Sequence, residues 1–252
     1  MRLSDRVAII TGAPRGIGRA VARGFAREGA KVVINYLDYE NLAHEAVAEI
    51  ERLGGQAVAY RADVSSATEV AAMVDTVRDR FGTVDILVNN AALSARTPWH
   101  EITEGDWDRV VAVNLKGCFL CARAVYPLMR HQGRGRIINV SSVTALRGQE
   151  HLAHYIASKA GIIGFTRAIA REVGRDGITV NAITPGAVQT EHERENFAAQ
   201  QDEIARQMAA IQSIPRREVA EDLVGTFIFL ASDESAMITG QTINVDGGWV
   251  MH

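Results

Sequence analysis

Apolar and polar positions follow two rhythms along this chain. Short runs rich in β-branched residues, at 7–11, 31–36, 56–62 and 85–89, have the length and composition of strands. Between them, at 17–28, 40–53 and 66–81, apolar residues recur three and four apart and predict helices, the last opened by Ser66 and Glu69 at capping-box spacing. The pattern continues with strands at 136–141, 178–184 and 241–245 and helical segments near 104–131, 153–173 and 218–231. Such alternation means βαβ units, and right-handed crossovers cover a parallel sheet on both sides. The expected fold is α/β: one doubly wound domain over residues 1–252, a seven-stranded parallel sheet with helices on both faces. Residues 186–217 interrupt the rhythm after Pro185 and carry Glu191, Glu193, Arg194, Glu195, Gln200, Gln201 and Asp202. A long polar insertion of this kind reads either as a lid over a site or as a solvated helical excursion.

Composition narrows the class without changing the fold. The 252 residues suit one α/β domain, and 47% apolar with 23% charged residues excludes disordered, collagenous and disulfide-rich chains. A formal net charge of −3 gives no basic surface for nucleic acid or an anionic membrane. Cys118 and Cys121 form a C-x-x-C, but inside an apolar helix-periodic stretch, where packing explains them better than redox chemistry. The seven histidines show no paired ligand spacing, so no metal is expected. The first apolar run, residues 7–10, is too short for a signal-peptide core or a bilayer span, and the expected location is cytoplasmic.

The first strand runs into Thr11-Gly12-Ala13-Pro14-Arg15-Gly16-Ile17-Gly18, and a helix starts at Gly16 or Ile17. Glycines there let the backbone turn tightly against a pyrophosphate, while the helix N-terminus presents unpaired N–H groups and a positive dipole end. The G-x-x-x-G-x-G spacing, together with Asn89-Asn90-Ala91 after strand 4, resembles the short-chain dehydrogenase/reductase family over essentially the whole chain. The resemblance implies a Rossmann-type, nicotinamide-dependent oxidoreductase with its dinucleotide across the carboxyl ends of strands 1, 4 and 5. It places the coenzyme against Gly12, Arg15, Gly16, Ile17, Gly18, Asn35, Asp63, Val64, Asn89, Ala91, Tyr155, Lys159, Pro185, Gly186, Val188 and Thr190. Asp63 has an equal reading as a local turn residue. Where the family usually has Gly after Asn-Asn-Ala, this chain has Ala92, which implies a slightly altered loop.

The chemistry centres on Tyr155-Ile156-Ala157-Ser158-Lys159, whose spacing puts a phenol and an ammonium on one helix face. Only three residues of the chain are Lys (Lys31, Lys116 and Lys159). Oxidising an alcohol requires removal of its proton as hydride leaves, and a free phenol, with a pKa of about 10, is too weakly acidic to be the base. A positive charge roughly 4 Å away, at an effective dielectric near 20, contributes about 4 kcal/mol, or about three pKa units. With Lys159 and the oxidised nicotinamide beside it, Tyr155 is expected to act as general base in oxidation and general acid in reduction. By resemblance, Ser142 holds the substrate oxygen, Asn114 helps hold a proton-relay water, and Val188 and Thr190 hold the nicotinamide carboxamide. Each has a plainer reading as well: a strand-end cap for Ser142, a hydrogen-bonded core amide for Asn114.

An active enzyme interconverting a secondary alcohol and a ketone is the leading expectation. A reductase of carrier-linked 3-oxoacyl groups is the alternative, with Arg123, Arg130, Arg134 and Arg136 as a candidate carrier surface. A non-catalytic coenzyme sensor is the remote one, and it would be marked by loss of Ser142, Tyr155 or Lys159. The polar loop with Arg147, Gln149, His151 and His154 suits a compact, oxygen-rich alcohol instead. NADP(H) is favoured over NAD(H), because Asn35, Tyr36 and Leu37 place no carboxylate at the end of strand 2 and Arg15 can bind a 2′-phosphate. The opposing reading has Arg15 on adenine or in solvent and Asp38 on the ribose of NAD. The resemblance further implies a homotetramer pairing through 104–131 and 153–173, with His252 near an adjoining site.

Overall fold

The computed structural model describes residues 1–196 and 198–251, so the expectation about His252 lies outside the described residues. Along the chain come β1 (Val7–Ile10), α1 (Gly16–Arg27), β2 (Lys31–Tyr36), α2 (Glu40–Arg52), β3 (Gln56–Arg61), α3 (Ala67–Phe81) and β4 (Ile86–Asn89). Next are α4 (Glu104–Val111), α5 (Gly117–His131), β5 (Gly135–Val140), α6 (Thr144–Arg147), α7 (Ala153–Val173) and β6 (Ile178–Pro185). The chain continues through β7 (Val188–Gln189), α8 (Glu191–Asn196), α9 (Gln201–Ile211), β8 (Glu218–Val219), α10 (Ala220–Ala231) and β9 (Thr242–Val245).

Seven strands form one parallel sheet in the order β3-β2-β1-β4-β5-β6-β9, as the alternating pattern predicts. The pleat of β1 divides the core in two. Ala8 and Ile10 lie with Phe25 of α1, Ile50 of α2 and Phe227 of α10, while Val7 and Ile9 lie with Met73 of α3 and Val125 and Met129 of α5. Burying a side chain such as Phe25 contributes about 1.5–3 kcal/mol relative to leaving it in water. Strand order reverses between β1 and β4, and at such a switch point the loops after the two strands diverge and leave a crevice at their carboxyl ends.

The structure departs from the sequence expectations at the start of α3 and within the run 104–131. Ser66 caps α3 by accepting the Glu69 N–H, but the Glu69 carboxylate reaches the Asp63 N–H instead of closing the box. The helix expected over 104–131 is broken by a π-turn at Ala112–Lys116 that separates α4 from α5. The whole run Glu104–His131 has the length and hydropathy of a membrane span, yet Leu120, Cys121, Val125 and Met129 are spent on the core against the sheet. Residues 186–217 are not featureless: β7 pairs with β8, Val188 opposite Glu218, and α8 and α9 lie between them.

Candidate active site

The glycine turn is built by close backbone approach. Gly12 has φ +60°, and a Cβ there would stand 2.8 Å from the Cα of Ala91; at Gly18 a Cβ would come within 2.7 Å of Asn90 Nδ2. Asn90 locks the two loops, its Nδ2 donating to the Thr11 and Gly12 carbonyls at 2.9 Å each, while Thr11 Oγ1 accepts from the N–H groups of Asn90 and Ala91. Beside this turn opens a cleft of about 560 Å³, within the usual range for a small-molecule site. Of the predicted coenzyme residues, Gly12, Arg15, Gly16, Asn35, Asp63, Val64, Ala91 and Thr190 line it. Asp38, named in the opposing NAD reading, lines it too, as do Leu37, Tyr39, Asn90, Leu93 and Arg109, which the sequence did not single out for this role. The cleft covers only part of the predicted site, because Ser142, Tyr155 and Lys159 lie outside its lining.

Several of these polar groups are already engaged. Asn35 is buried; its Oδ1 accepts weakly from Gly12 N at 3.4 Å and its Nδ2 donates to the Ala62 carbonyl at 2.9 Å, so it braces the ends of β2 and β3. Asn89 is buried as well, donating to Asn139 Oδ1 at 2.8 Å. The Asp63 carboxylate accepts from Ser65 N and Ser65 Oγ, both at 2.8 Å, the local turn that was one of its two readings. Arg15 stacks its guanidinium 4.1 Å from the Tyr39 ring centroid, donates to Tyr39 Oη and lies 3.4 Å from Glu195 of α8. Glu191 sets its carboxylate on the N-terminus of α1, accepting the Gly16 N–H at 2.9 Å. Thr190 Oγ1 accepts from Glu193 N and so caps α8.

The second cluster stands at the ends of β5 and β6, against the start of α7. Ser142 Oγ and Thr144 Oγ1 are 2.9 Å apart, and the Ser142 hydroxyl faces Tyr155. Burial pushes the Tyr155 phenol above its ordinary pKa, and the neighbouring Ser142 hydroxyl opposes that shift. Lys159 Nζ lies 5.6 Å from the Tyr155 ring centroid and donates to the Val140 carbonyl at 2.7 Å. Lys159 is 2% exposed, and burial brings its ammonium down to about 8. Desolvation is the largest influence on both groups.

Asn114 sits in the π-turn, fully buried. Its Oδ1 accepts from Leu93 N at 2.7 Å, and its Nδ2 donates to Leu93 O and to Ser158 Oγ, each at 3.0 Å. Ser141 is not spare either: its hydroxyl donates to the Lys159 carbonyl at 2.7 Å and fastens α7 to β5. After β6, the Pro185 carbonyl accepts from Val143 N, and the Gly186 N–H is shared between Val245 O and Glu218 Oε2. The π-turn is the feature that sequence periodicity missed. Its only sequence signal was a polar Asn in an apolar stretch, and irregular turns of this type recur at functional sites.

Other sequence readings separate here. Cys118 and Cys121 are free, buried packing residues, with Cys118 Sγ donating to the Asn114 carbonyl. Arg147 stacks 4.4 Å from the Trp249 ring centroid and donates to Gln149, which places both on a polar rim. His154 is instead fully buried, with neither ring nitrogen hydrogen-bonded among the described residues. Arg134 and Arg136 are tied to Asp85 and Asp233 near the amino end of β5, the opposite end of the sheet from Ser142.

A glycine cradle at the switch point, with a hydroxyl, a phenol and a buried ammonium clustered at the carboxyl ends of β5 and β6, fits a nicotinamide-coenzyme oxidoreductase. The family model described as enoyl-(acyl carrier protein) reductase matches residues 12–250. A 3-oxoacyl-[acyl-carrier-protein] reductase of Synechocystis is 44% identical, the match covering 99% of this chain and 98% of that protein. The Staphylococcus aureus protein of the same name is 42% identical, with 97% and 98% covered. Among solved structures, a short-chain alcohol dehydrogenase assigned provisionally in Sinorhizobium meliloti superposes with a TM-score of 0.92 at 37% identity, covering 98% of this chain and 97% of that one. A gluconate dehydrogenase assigned provisionally in Agrobacterium tumefaciens also gives 0.92, at 36% identity, covering 99% and 98%. The chain belongs to the short-chain dehydrogenase/reductase family and is an oxidoreductase acting between CH–OH and C=O.

Proposed function

We propose that this chain reduces a ketone to a secondary alcohol with NADP(H), Tyr155 serving as the proton donor. The observation that carries this reading is the clustering of Ser142 and Tyr155 with the buried Lys159, whose ammonium stands 5.6 Å from the Tyr155 ring centroid. When bound, the coenzyme supplies the hydride in reduction and accepts it in oxidation. The fit of a dinucleotide is supported by the cradle, where a Cβ at Gly12 or Gly18 would collide with the neighbouring loop, and by the N-terminus of α1, whose Gly16 N–H already holds an anionic group, the Glu191 carboxylate. Ser142 holds the carbonyl oxygen, and Tyr155 passes it a proton as negative charge develops there. Lys159 keeps a positive charge near the phenolate that results, and Asn114, tied to Ser158 on the same helix, belongs to the path that returns a proton. Val188 and Thr190 hold the nicotinamide side of the coenzyme, and segment 186–217 acts as the lid.

Arg15 at the cleft mouth supports NADP(H), since Tyr36 ends β2 without a carboxylate. For the substrate, the names of the curated relatives favour a 3-oxoacyl thioester. The rim of Arg147, Gln149 and Trp249 favours the second reading, a compact polyhydroxylated alcohol. A panel followed by the absorbance of reduced nicotinamide separates them: acetoacetyl thioesters with NADPH or NADH, against polyols and hydroxy acids with the oxidised forms. Turnover in either arm supports the reaction, and no turnover with any member overturns it. We further take the chain to be one domain acting in the cytoplasm as a homotetramer. Supporting the tetramer, α4 and α5 expose Trp107 and Phe119, and α7 beside them exposes Ala157, Ala160 and Gly164. A monomer by light scattering at micromolar concentration would remove that assignment.

A further inference from the structure

One buried carboxyl beside the predicted nicotinamide segment has no part in the reaction above. Glu218, the first residue of β8, is 5% exposed, a degree of burial that acidic side chains seldom reach without a partner cation. No ion pair to it forms among the described residues: Arg217 turns to Glu193 of α8 at 2.6 Å, and Arg216 to Asp222 of α10 at 2.7 Å. One oxygen, Oε2, accepts the Gly186 N–H at 3.0 Å, and the other, Oε1, has no hydrogen-bond partner. The fit depends on glycine, because a Cβ at 186 would stand 2.7 Å from that same Oε2. From Gly186 the contact runs both ways along the chain. The preceding carbonyl, Pro185 O, accepts from Val143 N, next to Ser142, and two residues on, Val188 pairs with Glu218 itself in the β7–β8 ladder.

We propose that Glu218 is a positioning residue, setting segment 185–190 against the nicotinamide half of the coenzyme through its bond to the Gly186 N–H. The proposal rests on the reading that Val188 and Thr190 hold the nicotinamide. An ionised carboxylate makes a shorter and stronger bond to an N–H than a neutral carboxyl does, so the charge on Glu218 changes how firmly the segment is held. Burial is the main reason that this carboxyl keeps its proton up to about 8. Asp222 and Asp246 push in the same direction, and the Gly186 N–H and Arg216 oppose them. The remaining charged neighbour, Arg217, is neutralised by Glu193. The charge on Glu218 therefore changes within the pH range in which the enzyme is assayed.

The test uses Glu218→Ala and Glu218→Gln in the full chain, with two ligands: whole reduced coenzyme, and its adenosine half as adenosine 2′,5′-bisphosphate or 5′-AMP. At pH 9, where Glu218 is ionised, loss of its hydrogen bond predicts that Glu218→Ala weakens whole-coenzyme binding about tenfold while the adenosine half stays within about twofold. Glu218→Gln keeps an acceptor for the Gly186 N–H, binds coenzyme near the wild-type level at pH 7, and lacks the change in coenzyme KM that wild type shows between about pH 7 and 9. Equal weakening of both ligands in Glu218→Ala, or a wild-type pH profile in Glu218→Gln, overturns the proposal. Wild-type protein that binds the adenosine half and gains nothing from the nicotinamide half overturns the underlying reading of Val188 and Thr190, and the proposal with it.

Discussion

The two ends of the sheet bury charge in opposite ways. At the amino end, Asp85 is 3% exposed and fully engaged: it accepts from Val7 N, from Arg134 Nε at 3.1 Å and Nη2 at 2.9 Å, and lies 3.5 Å from Arg6. Arg136, there too, donates to the carbonyls of Gly135 and Ser232 and to Asp233. At the carboxyl end, Lys159 and Glu218 are as deeply buried, and neither is in an ion pair among the described residues. Charge is costly to bury, and pairing offsets the cost. Where it is paired, as around Asp85, the charge ties chain segments together. Where it is left unpaired, its protonation responds to whatever enters the site, which is what a proton-transfer centre needs.

That contrast is sharpened first by Tyr155→Phe, which keeps the ring and removes the transferable proton. We expect kcat to fall by about 10³-fold or more, with coenzyme Kd within about twofold. Retention of more than a few per cent of wild-type kcat would take Tyr155 out of the reaction. At the other end, Asp85→Asn should cost about 2 kcal/mol in urea unfolding, because it removes the charge from a buried acceptor shared by Val7 N, Arg134 and Arg6. Its kcat per folded molecule should be unchanged, and a loss of activity without a loss of stability would break the division between the two ends.

Arg15→Ala comes next in size. Its kcat/KM with NADPH should drop about tenfold, the loss of one charge-assisted contact, and much less with NADH. A wild type that prefers NADH and is indifferent to the substitution would show that the coenzyme is NAD(H). The smallest effect is expected of Glu191→Gln. The Glu191 carboxylate accepts the Gly16 N–H, where a coenzyme phosphate is predicted, so neutralising it should tighten coenzyme binding about threefold in a fluorescence titration. Weaker binding would mean that Glu191 supports the coenzyme instead of competing with it.

What was legible from sequence follows the same physics. The seven strands could be placed because β-branched runs buried on both sides leave little ambiguity, and β2 and α7 fall where the pattern put them. Tyr155 and Lys159 were legible because their shared helix face depends on spacing alone. Asn35 and Asn89 were not, since the direction of an amide is decided by neighbours distant in sequence, the Ala62 carbonyl in one case and Asn139 in the other. The π-turn escaped because the apolar pattern runs through it, and only the backbone of Leu93, brought alongside by folding, explains the Asn114 amide. Glu218 lies in the charged stretch Arg216-Arg217-Glu218, which reads as surface, and only the β7–β8 pairing buries it.

Lys159→Met offers the most direct test of the claim that the carboxyl end of the sheet holds uncompensated charge for chemistry. Because burial lowers the folded pKa of Lys159 to about 8, below its unfolded value, the cost of the charge is complete below pH 8 and is relieved as pH rises through 8 toward the unfolded value. Methionine fills similar space without charge. At pH 7 the variant should be more stable than wild type by an amount on the order of 2 kcal/mol, lack the wild-type gain in stability above pH 8, and lose about 10²-fold or more in kcat. A variant that is less stable at pH 7, or one that keeps wild-type turnover, would contradict the account.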